Sequence, residues 1–96
     1  MIASIFKEKT ARMFVLLLNE RIGRKIPTVL AKEVDFTFSY AVSTIKKWEK
    51  DDLVTLEKKG RIQEISLTKK GYIIAQKIRQ IINILQENEK ENEKDL

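Results

Sequence analysis

The hydrophobic positions of this chain change period twice, from helical spacing to alternation and back, and stop and start signals divide the stretches between into elements. Over Met1–Glu20 the apolar residues Ile2, Ile5, Phe6, Met13, Phe14 and Leu17 follow helical spacing, so the first helix is expected there. The run Val15–Leu18 makes its second half apolar on more than one side, which calls for burial or a second partner. Asn19 and Gly23 are stop signals, and Arg21–Ile26 reads as a short basic connector. Pro27 stands where proline suits a helix start, and Leu30 and Val34 give a short second helix over Thr28–Val34 an inner face. Asp35 and Phe36 form a turn, and Thr37 is a suitable N-cap for a third helix through Lys50.

That third helix, TFSYAVSTIKKWEK, separates its residues sharply. Ala41, Ile45 and Trp48, spaced by four and three, form the inner side. The outer side carries Ser39, Tyr40, Ser43, Lys46, Lys47 and Lys50, with Glu49 at its margin. A hydroxyl-rich, cationic helix face suits entry into a DNA groove. Two helices joined by a tight turn, the second basic, describe a helix-turn-helix; the plainer reading is an αα-hairpin without a ligand.

The period then drops to two. Leu53–Glu57 (LVTLE) and Arg61–Leu67 (RIQEISL) alternate as half-buried strands do. They are joined at Lys58-Lys59-Gly60-Arg61, where glycine supplies the positive φ of a hairpin turn. A tip of Lys58, Lys59 and Arg61 can reach phosphates or a minor groove. Lysines at a hairpin also serve simply to discourage edge pairing.

Helical spacing returns after Thr68, a second N-cap, and continues to about Gln86. Within it Ile74, Ile78, Ile81 and Leu85 keep the 4-3-4 spacing of a helix–helix seam. This is read as a dimer seam shared with the first helix through Ile5, against the alternative of packing on the chain's own core. The remaining stretch, QENEKENEKDL, is a charged low-complexity tail that either extends the helix or frays. The expected organisation is one domain over residues 1–86, with terminal dimerisation helices, and a tail over 87–96. The fold class is mainly α with a small β-hairpin, in the order α1-α2-α3-β-β-α4.

Composition narrows the chemistry. The 96 residues include no cysteine and no histidine, which removes thiol chemistry, disulfides, the commonest general base and the commonest metal ligand. With no paired-carboxylate motif or glycine-rich phosphate loop either, an enzyme is not expected, nor a cofactor or metal. Formal net charge is +5, but residues 86–96 hold five acids against two lysines, so the body is more basic than the whole. A basic body favours an anionic partner, nucleic acid first, although a lysine-rich solvated surface is the alternative. No signal peptide or membrane span is expected, because Lys7, Glu8, Lys9 and Arg12 interrupt the N-terminal apolar segment; the expected location is the cytoplasm.

Three stretches are similar to the MarR-like group of winged helix-turn-helix transcription regulators. LAKEV at 30–34 resembles that group's second helix. WEKDDLV at 48–54 resembles the recognition-helix exit, usually leucine-glutamate-x-x-glycine-leucine-valine, and ISLTKKG at 65–71 resembles the last wing strand entering the final helix. Asp35 and Asp52 stand where that pattern has glycine, and Trp48 where it has leucine. The chain is short for the group, a length that fits a compact archaeal or viral member. The resemblance implies a homodimer on double-stranded DNA, without implying a small-molecule effector pocket.

On this reading Ser39, Tyr40 and Ser43 contact base edges or nearby phosphates, and Lys46, Lys47 and Lys50 mainly phosphates. Lys58, Lys59 and Arg61 form the wing contact, and Arg24 and Lys25 touch the backbone from the connector. The expected function is a sequence-specific transcription regulator, with repression by occlusion the simpler mechanism. The rival is a winged-helix protein-interaction module in a transcription or replication assembly. RNA binding is disfavoured, as Tyr40 is the one exposed aromatic expected and no RNA platform motif is present.

Overall fold

The computed structural model describes residues 7–95, with side chains through Gln86. Four α-helices and one hairpin follow in the expected order: α1 Glu8–Val15, α2 Pro27–Val34, α3 Phe38–Lys50, β1 Val54–Lys59, β2 Ile62–Leu67 and α4 Lys69–Asp95. This is a winged helix-turn-helix. Among the described residues, no helix is long and apolar enough to cross a membrane.

The first helix is shorter than its hydrophobic pattern suggests. After Val15 the chain tightens into a 3-10 turn, Leu16–Leu18, and ends at extended Asn19 rather than at Glu20. The expected start of this helix, and Ile5 with it, lies outside the described residues. The tight turn drives Leu17 into the core beside Met13 and Phe14 and leaves Leu16 and Leu18 packed at its edge. The apolar run is thus satisfied within the chain.

The core forms where α1, α2, α3, the hairpin and the first turns of α4 meet. Met13, Leu30, Ile45, Val54 and Ile65 are its largest fully buried side chains. Trp48, in place of a leucine, is accommodated by Phe14: their rings meet edge to face at 4.9 Å. Ala41, Ile45 and Trp48 are all buried, as their spacing predicts. Thr44 joins them; its hydroxyl donates to the Tyr40 carbonyl at 2.9 Å, so no polar atom is stranded.

Both helix-turn-helix exits use the same device. At the end of α2, Asp35 has φ 59 and ψ 48, while the N–H groups of Asp35 and Phe36 donate to the carbonyls of Lys32 and Ala31. At the end of α3, Asp52 has φ 62, and the N–H groups of Asp52 and Leu53 donate to Glu49 and Trp48. Each is a Schellman closure with aspartate in the left-handed position usually given to glycine. Aspartate tolerates that conformation better than most residues, so the geometry survives the substitution.

The hairpin is tighter than its sequence suggests. Val54 pairs with Leu67 and Lys59 with Ile62, leaving a two-residue loop, Gly60–Arg61. Gly60 has φ 66 and Arg61 does not share the positive φ, the pattern of a type II′ turn. One glycine therefore suffices, and Lys58 and Lys59 belong to the strand rather than to the tip. The connector also contributes: the Ile65 N–H donates to the Lys25 carbonyl at 2.8 Å, so this segment braces the outer edge of β2.

In α4, Ile74 and Ile78 pack on the main core. Ile78 and Leu85 also border a second cluster, where Ile82 meets Ala11 of α1. The helical backbone continues through Asp95, so residues 87–95 extend α4.

Candidate nucleic-acid interface

The exposed side of α3 follows directly from its buried side. With 3.6 residues per turn, burial of Ala41, Thr44, Ile45 and Trp48 turns Ser39, Ser43, Lys46 and Lys50 to the opposite side. These four, with Lys47, Phe38 and Val42, line one broad open shelf. The Thr37 hydroxyl starts the helix by accepting from the Tyr40 N–H at 3.2 Å, which fixes where the shelf begins. Thr37 and the Asp52 closure bound a rigid element, on which exposed side chains share one direction.

Beside the shelf, between α3 and the hairpin, runs a groove of about 360 Å³. Lys46 enters it from α3, and Lys58 and Arg61 enter it from the wing. Strand alternation explains this. Val54, Leu56 and Lys58 occupy one face of β1, so the face that builds the core also directs Lys58 toward α3. Lys46 therefore links the two halves of the surface, and three cations from two elements converge there.

Lys59 does not join them. It lies on the opposite face of β1, where its ammonium is 3.4 Å from a Glu64 carboxylate oxygen. Glu57 and Glu64, paired across the strands, make that face partly acidic. Tyr40 takes the margin of α3 away from the wing, its ring edge to face with Phe36 at 4.7 Å. It remains 44% exposed, but it flanks the shelf rather than lining it. Arg24 is exposed on the connector, whereas Lys25 is half-buried and contributes its carbonyl to the brace on β2.

Three residues of this surface escaped the sequence reading. Phe38 is 58% exposed at the first turn of α3, Val42 lies one turn later, and Gln63 stands across from Lys58. The apolar pair was visible as an i, i+4 interruption of the polar side of α3.

The seam residues are also divided. Ile74, Ile78 and Leu85 are half-buried against the chain's own core, whereas Ile81 is 47% exposed. Ile73 and Ile84 are exposed as well.

No family model matches this chain. A curated protein of Archaeoglobus fulgidus, described as uncharacterized, is 36% identical over 84 residues, covering 85% of this chain and 88% of its own. The crystal structure of AF1382 from the same organism superposes with a TM-score of 0.80 at 36% identity, covering 88% of this chain and 94% of AF1382. This chain belongs to the winged-helix family of AF1382. The adhesin competence repressor AdcR of Streptococcus pyogenes shares the fold, with a TM-score of 0.80 at 19% identity over 92% of this chain and 66% of AdcR. Lactococcus lactis ZitR, whose structure is a complex with DNA, gives a TM-score of 0.78 at 14% identity over 92% of this chain and 60% of ZitR. These winged-helix transcription regulators bear out the resemblance carried by LAKEV, WEKDDLV and ISLTKKG at the level of fold, and the AF1382 relationship bears out an archaeal relative.

Proposed function

We propose that this protein is a double-stranded DNA-binding transcription regulator, sequence-specific and homodimeric, rather than an enzyme. The observation that carries the reading is the convergence of Lys46 from α3 with Lys58 and Arg61 from the wing, next to a shelf bearing Ser39, Ser43, Lys47 and Lys50. A solvated lysine surface needs no such convergence. Two rigid elements set at an angle with cations between them suit a duplex, whose phosphates flank its grooves.

In this account α3 lies in the major groove. Ser39 and Ser43 face base edges, Lys47 and Lys50 neutralise phosphates, and Lys46, Lys58 and Arg61 straddle the backbone between groove and wing. Tyr40 and Arg24 make peripheral backbone contacts. Ile81, together with exposed Ile73 and Ile84, supplies the α4 face of a dimer seam. A second copy would set two α3 helices about 34–36 Å apart, one turn of duplex. Repression by occlusion needs binding alone, and the AdcR neighbour is a repressor by name.

Selection of bound sequences from a random duplex pool tests the proposal. A palindromic motif with half-sites one turn apart is expected. A pool that remains unenriched, with no gel shift at low salt, contradicts it and favours a protein partner for the basic surface.

A further inference from the structure

Phe38 and Val42 are out of place on a surface built only to neutralise phosphates. Phe38 is 58% exposed, and both residues line the shelf and the groove beside the wing. Neither is needed to close the core, which Ala41, Thr44, Ile45 and Trp48 complete from the other side of the helix. Phe38 opens α3, and in a helix-turn-helix the N-terminal residues of the second helix are the ones that approach base edges. Phe38 and Val42 are one turn apart, so they form a single apolar strip of about 6 Å along the helix. Ser39 and Ser43 run parallel to it on one side, and Lys46 follows Val42 on the next turn. The serines border one side of the strip; on the other, Ile26, Pro27 and Ile62 line the groove with it, and Lys46, Lys58 and Arg61 bring cations that would hold a phosphate backbone.

The major groove offers such a strip one apolar group, the C5-methyl of thymine. The other three bases present donors and acceptors there but no methyl group. We infer that Phe38 and Val42 read thymine methyl groups, and that they give this protein a preference for thymine at adjacent or near-adjacent positions of each half-site. Serines cannot supply that discrimination, because a hydroxyl bonds donors and acceptors alike. Phe38 is thus a specificity residue and the lysines are affinity residues. The inference rests on the proposed binding of duplex DNA through α3.

The test uses two random duplex pools of the same design, one synthesised with thymidine and one with deoxyuridine, which differ only by the methyl. Sequences are selected from the thymidine pool, and the selected duplex is remade with deoxyuridine. The wild type should bind the deoxyuridine form about fourfold more weakly for each buried methyl, the factor that burial of one such group supplies. The double variant Phe38→Gln/Val42→Gln should bring the two forms to equal affinity, and Phe38→Gln alone should discriminate less than the wild type. Phe38→Leu, which keeps an apolar side chain, should retain most of the discrimination. Equal binding of both forms by the wild type overturns the inference and leaves DNA binding intact, as does a Phe38→Gln/Val42→Gln double variant that discriminates as well as the wild type. Absence of binding to either pool at low salt overturns the DNA-binding reading, and the inference with it.

Discussion

Gly71 lies so close to the Leu53 carbonyl that a Cβ at position 71 would sit 1.9 Å from the Leu53 oxygen. The contact clamps the start of α4 against the exit of α3. Thr68 completes the clamp: its hydroxyl donates to the Asp52 carbonyl at 2.7 Å and accepts from the Gly71 N–H at 3.0 Å, while its own N–H donates to the Leu53 carbonyl. Thus the LTKKG stretch physically joins α4 to the exit of α3 at Asp52 and Leu53, with the wing between them. Gly71→Ala should therefore destabilise by about 2 kcal/mol or more, since backbone rather than a flexible side chain must move. Denaturant titration checks this, and a loss under about 0.5 kcal/mol would contradict the clamp.

The two aspartates in left-handed conformation make the opposite prediction. Asp52→Gly should hold or raise stability, by up to about 1 kcal/mol, because glycine adopts φ 62 without steric cost. Asp52→Val should lower it by more than 1 kcal/mol or so, as a β-branched residue is poorly tolerated there. The thermal midpoint of Asp52→Gly should therefore lie at or above that of the wild type, and that of Asp52→Val below it.

The order of elements was legible because each carries its own signal. Thr37 and Thr68 mark helix starts, Pro27 marks another, Gly60 marks the turn, and the period changes from helix to strand and back. What was not legible depends on tertiary context. The shift of the hairpin loop by two residues follows from a II′ turn that needs only Gly60 and Arg61. The ending of α1 in a 3-10 turn follows from the burial of Leu17. On the candidate site, composition placed the cations, but only the strand register separated Lys58 from Lys59. The 4-3-4 row in α4 was a real periodicity, but α1 and the core already cover most of it.

The register makes the wing lysines unequal. Lys58 faces α3 beside Lys46 and Arg61, while Lys59 faces away toward Glu64. Lys58→Ala should lower the salt slope of DNA binding by about one unit, the value for one phosphate contact, and weaken binding to all sequences alike. Lys59→Ala should change the slope by much less. Equal slopes for the two variants would overturn this division.

Ile81 offers a cleaner probe of the proposed dimer than Ile78. Ile78 contacts both hydrophobic clusters, so Ile78→Glu would damage the monomer as well as any seam. Ile81 is 47% exposed, and Ile81→Glu should leave thermal stability at low protein concentration within about 0.5 kcal/mol. Sedimentation should nevertheless show a shift to monomers, with weaker binding to a palindromic duplex. A variant that stays dimeric would move the interface elsewhere.

The proposed function requires that α3 and the wing act as one cationic surface for duplex DNA. Fluorescence anisotropy with a labelled random 30-base-pair duplex, titrated from about 50 to 200 mM salt, tests it most directly. If Lys46, Lys47, Lys50, Lys58 and Arg61 meet phosphates, the logarithm of affinity should fall against the logarithm of salt with a slope of about −4 or steeper. Absence of binding at the lowest salt, or a slope near zero, would contradict the account.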